Sequence, residues 1–309
     1  LAVSGNDGDA NIAIGTVAMG GGDVSGANNI AIGGTSMDAL TTGACNIALG
    51  INALGASTDG NDNIAIGRSA LAVSDGDGDF NIAIGMTAMG TGDVSASCNI
   101  AIGYQAMDAI TSGQNNTALG FEALGGATIG IGNLAIGFKA MFAVTTGQAD
   151  TNIAIGQCAL HGGASTSGND NIAIGRHSLL TLTTGICNVA IGTNALGAST
   201  TGCLNIAIGR GALGGVDTTG KCNVAIGQES MDALTTGLNN LALGEHALGA
   251  STTGSYNIAL GLFALGAADT TGVANIAIGQ NTMDALTTGI CNVAIGPNAL
   301  GASTTGCRN

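Results

Sequence analysis

Side chains able to do chemistry are few in this 309-residue chain, and their spacing says what each can do. His161, His177 and His246 lie in separate repeats, with no matched acid or nucleophile constellation, and read as surface residues. Carboxylates cluster in Asp75-Gly76-Asp77-Gly78-Asp79 and, more loosely, in Asn6-Asp7-Gly8-Asp9 and Asp59-Gly60-Asn61-Asp62. Asp alternating with Gly opens many calcium loops, but Met86 stands where the closing bidentate Glu belongs. A solvated acidic turn with no resident cofactor is the default reading of Asp75, Asp77 and Asp79, and a calcium staple is the minor one. The eight cysteines have no zinc-ligand spacing. Cys187, Cys203 and Cys222, and also Cys291 and Cys307, fall in successive repeats, so disulfides between repeats or between chains are an option that suits an oxidising compartment. Cys45 and Cys98 have no such neighbour. Asn115-Asn116-Thr117 is a single glycosylation sequon. No glycine-rich turn is followed by Lys and a helix, so phosphate loops are not expected, and the chain does not read as an enzyme.

The elements that carry these residues are set by one repeat. Asn-Ile-Ala-Ile-Gly or a close variant begins at Asn11, Asn29, Asn46, Asn63 and Asn81 and recurs to Asn292, 17 copies in all, spaced 17 or 18 residues apart and twice 19. The third position is Ala and the fifth Gly in all 17, and the ninth is always Leu or Met. Leu1–Ala10 parallels Leu71–Phe80, four copies later. No segment escapes the period, so residues 1–309 read as a single continuous array, cut from a longer one, without linkers. The 55 glycines and lone proline exclude collagen, the 45% apolar content argues against disorder, and six scattered basic residues against 20 acidic ones leave no footprint for nucleic acid. Apolar runs are too short to insert in a membrane.

Ile-Ala-Ile alternates with period two and reads as a strand, and Ala-Leu-x-Ala at positions eight to eleven reads as a second, weaker one. The glycine segments are turns. The fold class expected is therefore all-β: a parallel β-solenoid (β-roll) of about 17 coils, 17–18 residues each, with two short strands per coil, stacked at about 4.8 Å. Asn at the first position would stack into an amide ladder, as at Asn11, Asn29, Asn46, Asn63 and Asn81. Along the strand, positions two and four are aliphatic except at Thr117, and positions one, three and five are small or polar. A strand restricted on both faces is covered on both, so chains are expected to associate side by side, with the Ala/Gly face as a candidate seam.

Asn-Ile-Ala-Ile-Gly-x-x-Ala resembles the short repeat of trimeric autotransporter adhesin heads, and Gly103-Tyr104-Gln105-Ala106-Met107 and Asn116-Thr117-Ala118-Leu119-Gly120 resemble repeats of phage and large-virus fibres. The period here is longer than that of the adhesin roll. The resemblance implies a β-roll that assembles as a homotrimer or filament. The function expected is the structural shaft of a fibre, extracellular or on a cell or virion surface. The alternative is an adhesin head binding host matrix, a receptor or a glycan, for which Tyr104, Phe121 and Phe138, at the sixth position of three consecutive copies, are the candidate surface. Ice binding by stacked Thr-Thr pairs such as Thr183/Thr184 is a minor alternative, since adjacent threonines cannot both face one side of a strand.

Overall fold

The computed structural model describes residues 9–21, 23–73, 78–92, 95–143, 149–162 and 167–309. The chain falls into two units, Leu1–Thr151 with Ala164–Thr166, and Asn152–Gly163 with Ser167–Asn309. Each is an all-β parallel solenoid built from the same coil. The first holds eight three-residue strands: β1 (Ile12–Ile14), β2 (Ile30–Ile32), β3 (Ile47–Leu49), β4 (Ile64–Ile66), β5 (Ile82–Ile84), β6 (Ile100–Ile102), β7 (Thr117–Leu119) and β8 (Leu134–Ile136). The second holds nine: β9 (Ile153–Ile155), β10 (Ile172–Ile174), β11 (Val189–Ile191), β12 (Ile206–Ile208), β13 (Val224–Ile226), β14 (Leu241–Leu243), β15 (Ile258–Leu260), β16 (Ile276–Ile278) and β17 (Val293–Ile295).

Within each unit every strand pairs in parallel with the next, in register, so that Ala65 lies over Ala83 and Ala207 over Ala225. Backbone bonds continue the ladder beyond the strand: Ile30 N–H donates to the Asn46 carbonyl at 2.8 Å, and Gly50 N–H to the Ile32 carbonyl at 2.8 Å. No single coil can bury its apolar side chains, so stacking supplies both the core and the hydrogen bonds.

The second strand expected at positions eight to eleven is absent from the described coils. That wall is a run of turns in which positions seven and nine take positive φ, as at Asn52 (57°) and Leu54 (49°), or Gln105 (53°) and Met107 (49°). The reason is packing. Ala53 and Leu54 are both buried, as are Ala106 and Met107, and neighbouring side chains cannot face the same side of an extended strand. A left-handed residue at position nine turns the second of the pair inward, at about 1–2 kcal/mol of local strain. Coil-to-coil bonding survives the change, since Met37 N–H reaches the Ala53 carbonyl at 3.0 Å and Asn52 N–H the Gly34 carbonyl at 2.9 Å.

The interior is filled by the third-position Ala, the eighth-position Ala or Ser, the ninth-position Leu or Met, and residues such as Leu40, Ile110, Leu182 and Leu234. This reverses the orientation read from the sequence. Ala48, Ala101 and Ala207 have no exposed surface, whereas Ile32, Leu49 and Leu119 are 37–42% exposed. The Ala/Gly face is the inside of the coil and cannot be a seam between chains. With Leu or Met already occupying the centre, the narrow space behind the strand admits only a methyl group.

Candidate functional site: an aliphatic face and an aromatic column

The outward positions of the strands form two columns on the surface of each unit. In the first unit the columns include Ile12, Ile14, Ile32, Leu49, Ile66, Ile100 and Leu119, all exposed. In the second they include Ile206, Leu241, Leu243, Val293 and Ile295. The glycine that follows each strand turns the chain without adding bulk, and the sixth position then forms a third column beside the other two. There Tyr104, Phe121 and Phe138 stack ring on ring, with centroids 5.2 and 5.3 Å apart and planes within 17° and 15°. These separations follow from the spacing between paired strands. Because the rings cover one another's faces, the column presents mainly ring edges, and it widens the aliphatic face.

Within each unit the first-position asparagines form a buried ladder. Asn29 Oδ1 accepts from the backbone N–H of Asn46 at 2.9 Å and from its Nδ2 at 3.1 Å, and Asn46 Nδ2 also donates to the Gly60 carbonyl at 2.6 Å. The pattern starts at Asn11, whose Oδ1 accepts from Asn29, and continues through Asn63 and Asn81. It ties the strand to the turn across the coil.

Asp75 and Asp77 lie outside the described residues. Asp79 belongs to a second ladder at the position two before the repeat Asn: its Oδ1 accepts from the Asn61 backbone N–H at 2.7 Å and from Asn61 Nδ2 at 3.2 Å, while Asn61 Oδ1 accepts from Ala44 N–H at 3.0 Å. Among the described residues no three His, Cys, Asp or Glu side chains gather into a metal-holding group. All eight cysteines are free thiols. Cys203 and Cys222 are on neighbouring coils but meet through the backbone, with Cys222 N–H donating to the Cys203 carbonyl at 3.2 Å. They are offset, one standing two residues before its Asn and the other directly before it. Cys187 precedes Asn188 directly, and Cys291 and Cys307 repeat the offset.

In the pairs that begin at Thr41, Thr183, Thr235 and Thr287 the first threonine turns its hydroxyl onto a carbonyl of the next coil, as Thr183 Oγ1 does to the Thr200 carbonyl at 2.9 Å, rather than displaying it in a flat array. The histidines stay in separate coils, but His246 is not without acids. Glu245, the preceding residue, has its Oε1 3.9 Å from the His246 Nε2, while stacking brings Glu229 Oε2 to 3.6 Å and lays the ring on Phe263 with centroids 4.8 Å apart. Arg210 in turn pairs with Glu229 at 2.9 Å. The Glu229, Phe263 and Arg210 contacts span neighbouring coils, which is why adjacency in the sequence does not show them.

No family model matches the chain, and no curated protein matches it. Among the described residues no helix is long and apolar enough to cross a membrane.

Proposed function

We propose that this chain is the structural body of a fibre, a self-associating β-solenoid shaft displayed outside the cell or on a cell or virion surface. The observation that carries the reading is the inverted strand: the parallel sheet of each unit keeps alanine inside and turns Ile, Leu and Val to the surface in continuous columns. Parallel sheets are ordinarily covered on both faces. The eight strands of the first unit, at about 4.8 Å each, and the span from second to sixth position at about 3.3 Å per residue give a face on the order of 500 Å². That matches the largest apolar patch of an ordinary monomer, which is often functional. Two such faces in contact bury on the order of 1,000 Å², the lower end of specific interfaces. A second copy offers a matching surface with the same repeat, so its side chains interdigitate at every coil. The resemblance to adhesin and fibre repeats favours a homotrimer or filament with these columns as the seam.

Sedimentation velocity and electron microscopy of the wild type and of a variant carrying Ile32→Lys, Ile66→Lys and Ile100→Lys test this. The wild type is expected as an oligomer or filament, and the variant as a folded smaller species. A monodisperse wild-type monomer at micromolar concentration overturns the reading.

A second reading, an adhesin surface for matrix or glycan, draws on the Tyr104, Phe121 and Phe138 column. It calls for glycan-array binding that Phe121→Ser abolishes without changing the oligomer.

A further inference from the structure

The tenth position of the repeat carries Asp108, Gly125 and Phe142 in three consecutive coils. Gly125 and Gly126 have no side chains to fill the space between Asp108 on one side and the Phe142 ring on the other. The gap is a groove of about 290 Å³, lined also by Gln105, Glu122 and Ala143. Asp38, Asp232 and Asp284 stand beside Gly55, Gly249 and Gly301 in the same way, but Ala72 and Gly266 occupy the third place after the first two, and an aromatic ring closes the groove only at Asp108.

The charges in the groove are unequal. Glu122 is paired with Lys139 at 3.1 Å, and the same Nζ stands 4.8 Å from the centre of the Phe142 ring. Asp108 has no cationic partner among the described residues: its Oδ2 takes the Gln105 amide at 3.5 Å, Thr91 and Gly90 also pull on the carboxyl, and its Oδ1 is shut off from solvent. Burial holds the Asp108 carboxyl above its ordinary range, with Glu122 adding repulsion against the pull of Thr91, Gly90 and Gln105. A half-buried, uncompensated carboxylate next to an aromatic ring and a glycine floor has a definite complement. An ammonium supplies the missing charge and a hydrogen bond to the accessible oxygen, and its alkyl chain lies on the Phe142 ring and the glycine backbone. A neutral sugar hydroxyl would supply the hydrogen bond and leave the charge uncompensated. The formal net charge of −14 also draws cations to the surface.

We infer that the groove between Asp108 and Phe142 binds an alkylammonium group, from a free polyamine or from a lysine side chain of another protein. The test is an NMR titration of the whole chain at neutral pH with cadaverine, Nα-acetyl-lysine amide and methyl glucoside. Both amines are expected to shift the Gly125, Gly126 and Phe142 resonances. Tighter binding of cadaverine assigns the site to free polyamines, and tighter binding of the lysine amide to protein side chains. Asp108→Asn is expected to weaken binding at least tenfold, with Asp38→Asn as the control that leaves it unchanged. Amine-induced shifts absent from these three residues, preferential binding of methyl glucoside, or undiminished affinity in a folded Asp108→Asn chain overturns the inference. The location of the wild-type shifts decides even where the variant does not fold.

Discussion

Asn46 gives Asn29 Oδ1 two hydrogen bonds at once, from its backbone N–H at 2.9 Å and its Nδ2 at 3.1 Å, while its own Oδ1 accepts the Asn63 N–H at 2.9 Å. Each asparagine is thus donor to one neighbour and acceptor for the other, inside a region shut off from water. Removing one rung leaves the Asn63 N–H and the Gly60 carbonyl without their partners. Unsatisfied buried groups cost about 1–3 kcal/mol each. Asn46→Ala is therefore expected to lower stability by roughly 3 kcal/mol or more, read as a shift of the urea midpoint by far-UV circular dichroism. A change within experimental scatter means that the ladder fills space and little else.

The fifth-position glycine answers to two constraints that can be separated. Gly103 has φ of 140°, and a β-carbon built on it would stand 2.7 Å from the Gly120 carbonyl carbon and closer still to its oxygen. Gly296 shares the positive φ, at 121°, but has nothing within 4 Å of that point. Gly296→Ala is expected to cost about 1–3 kcal/mol from backbone strain alone. Gly103→Ala adds a clash with backbone that cannot move without displacing the next coil, and is expected to disrupt the first unit. Equal losses in thermal unfolding would show that conformation, not stacking distance, demands the glycine.

The inverted strand predicts an unusual pair of outcomes at adjacent residues. Ala65 has no exposed surface and Ile66 is exposed, so the small residue is the sensitive one. Ala65→Val inserts two methyl groups into a filled interior and is expected to cost about 1–3 kcal/mol. Ile66→Ser removes a large side chain from the surface and is expected to stay within about 0.5 kcal/mol in a monomeric background. Denaturant unfolding of the two variants checks the order, and a reversed order would return the aliphatic side to the interior.

Period, parallel stacking and strand position were legible because they are written in residues that recur at one spacing, Asn at the first position, Ala at the third and Gly at the fifth. Which side of the strand faces inward was not. Three residues such as Ile64–Ile66 alternate in the same way whichever side is buried, and only the neighbouring wall decides. The deciding signal was present in the invariant pair of Ala or another small residue at the eighth position and Leu or Met at the ninth. Two consecutive core residues are incompatible with a second strand, and a core already holding Leu54 and Met107 has room only for alanine opposite. The exposed columns at Ile32, Ile66 and Ile100 follow from that step. Contacts across coils, such as Glu229 with His246 or Asp108 against Phe142, join residues one or two repeats apart and surface only when the coils are stacked in register.

Carboxylates tie two of the 18-residue coils to the coils before them, and another carboxylate gives a pH response. In two coils of 18 residues, Asp217 and Asp269 hold the N–H and hydroxyl of Thr200 and Thr252 in the coils before them, contacts 52 residues apart in the chain that repeat closely. Asp232 behaves differently. Burial raises its pKa, with repulsion from Glu229 adding to the rise and its own backbone amide and His246 opposing it. A raised folded-state pKa means that the native chain binds more protons than the unfolded chain between the two values, so this group adds stability as pH falls, opposite to the usual paired carboxylate. At neutral pH its charge is a native-state penalty. Asp232→Asn is therefore expected to unfold at a higher urea concentration than the wild type at pH 7. The gap should close toward about pH 4, where the carboxyl is increasingly protonated in both states. A variant less stable than the wild type at pH 7, or a gap that widens with acid, would show that Asp232 is stabilised as a carboxylate by its neighbours.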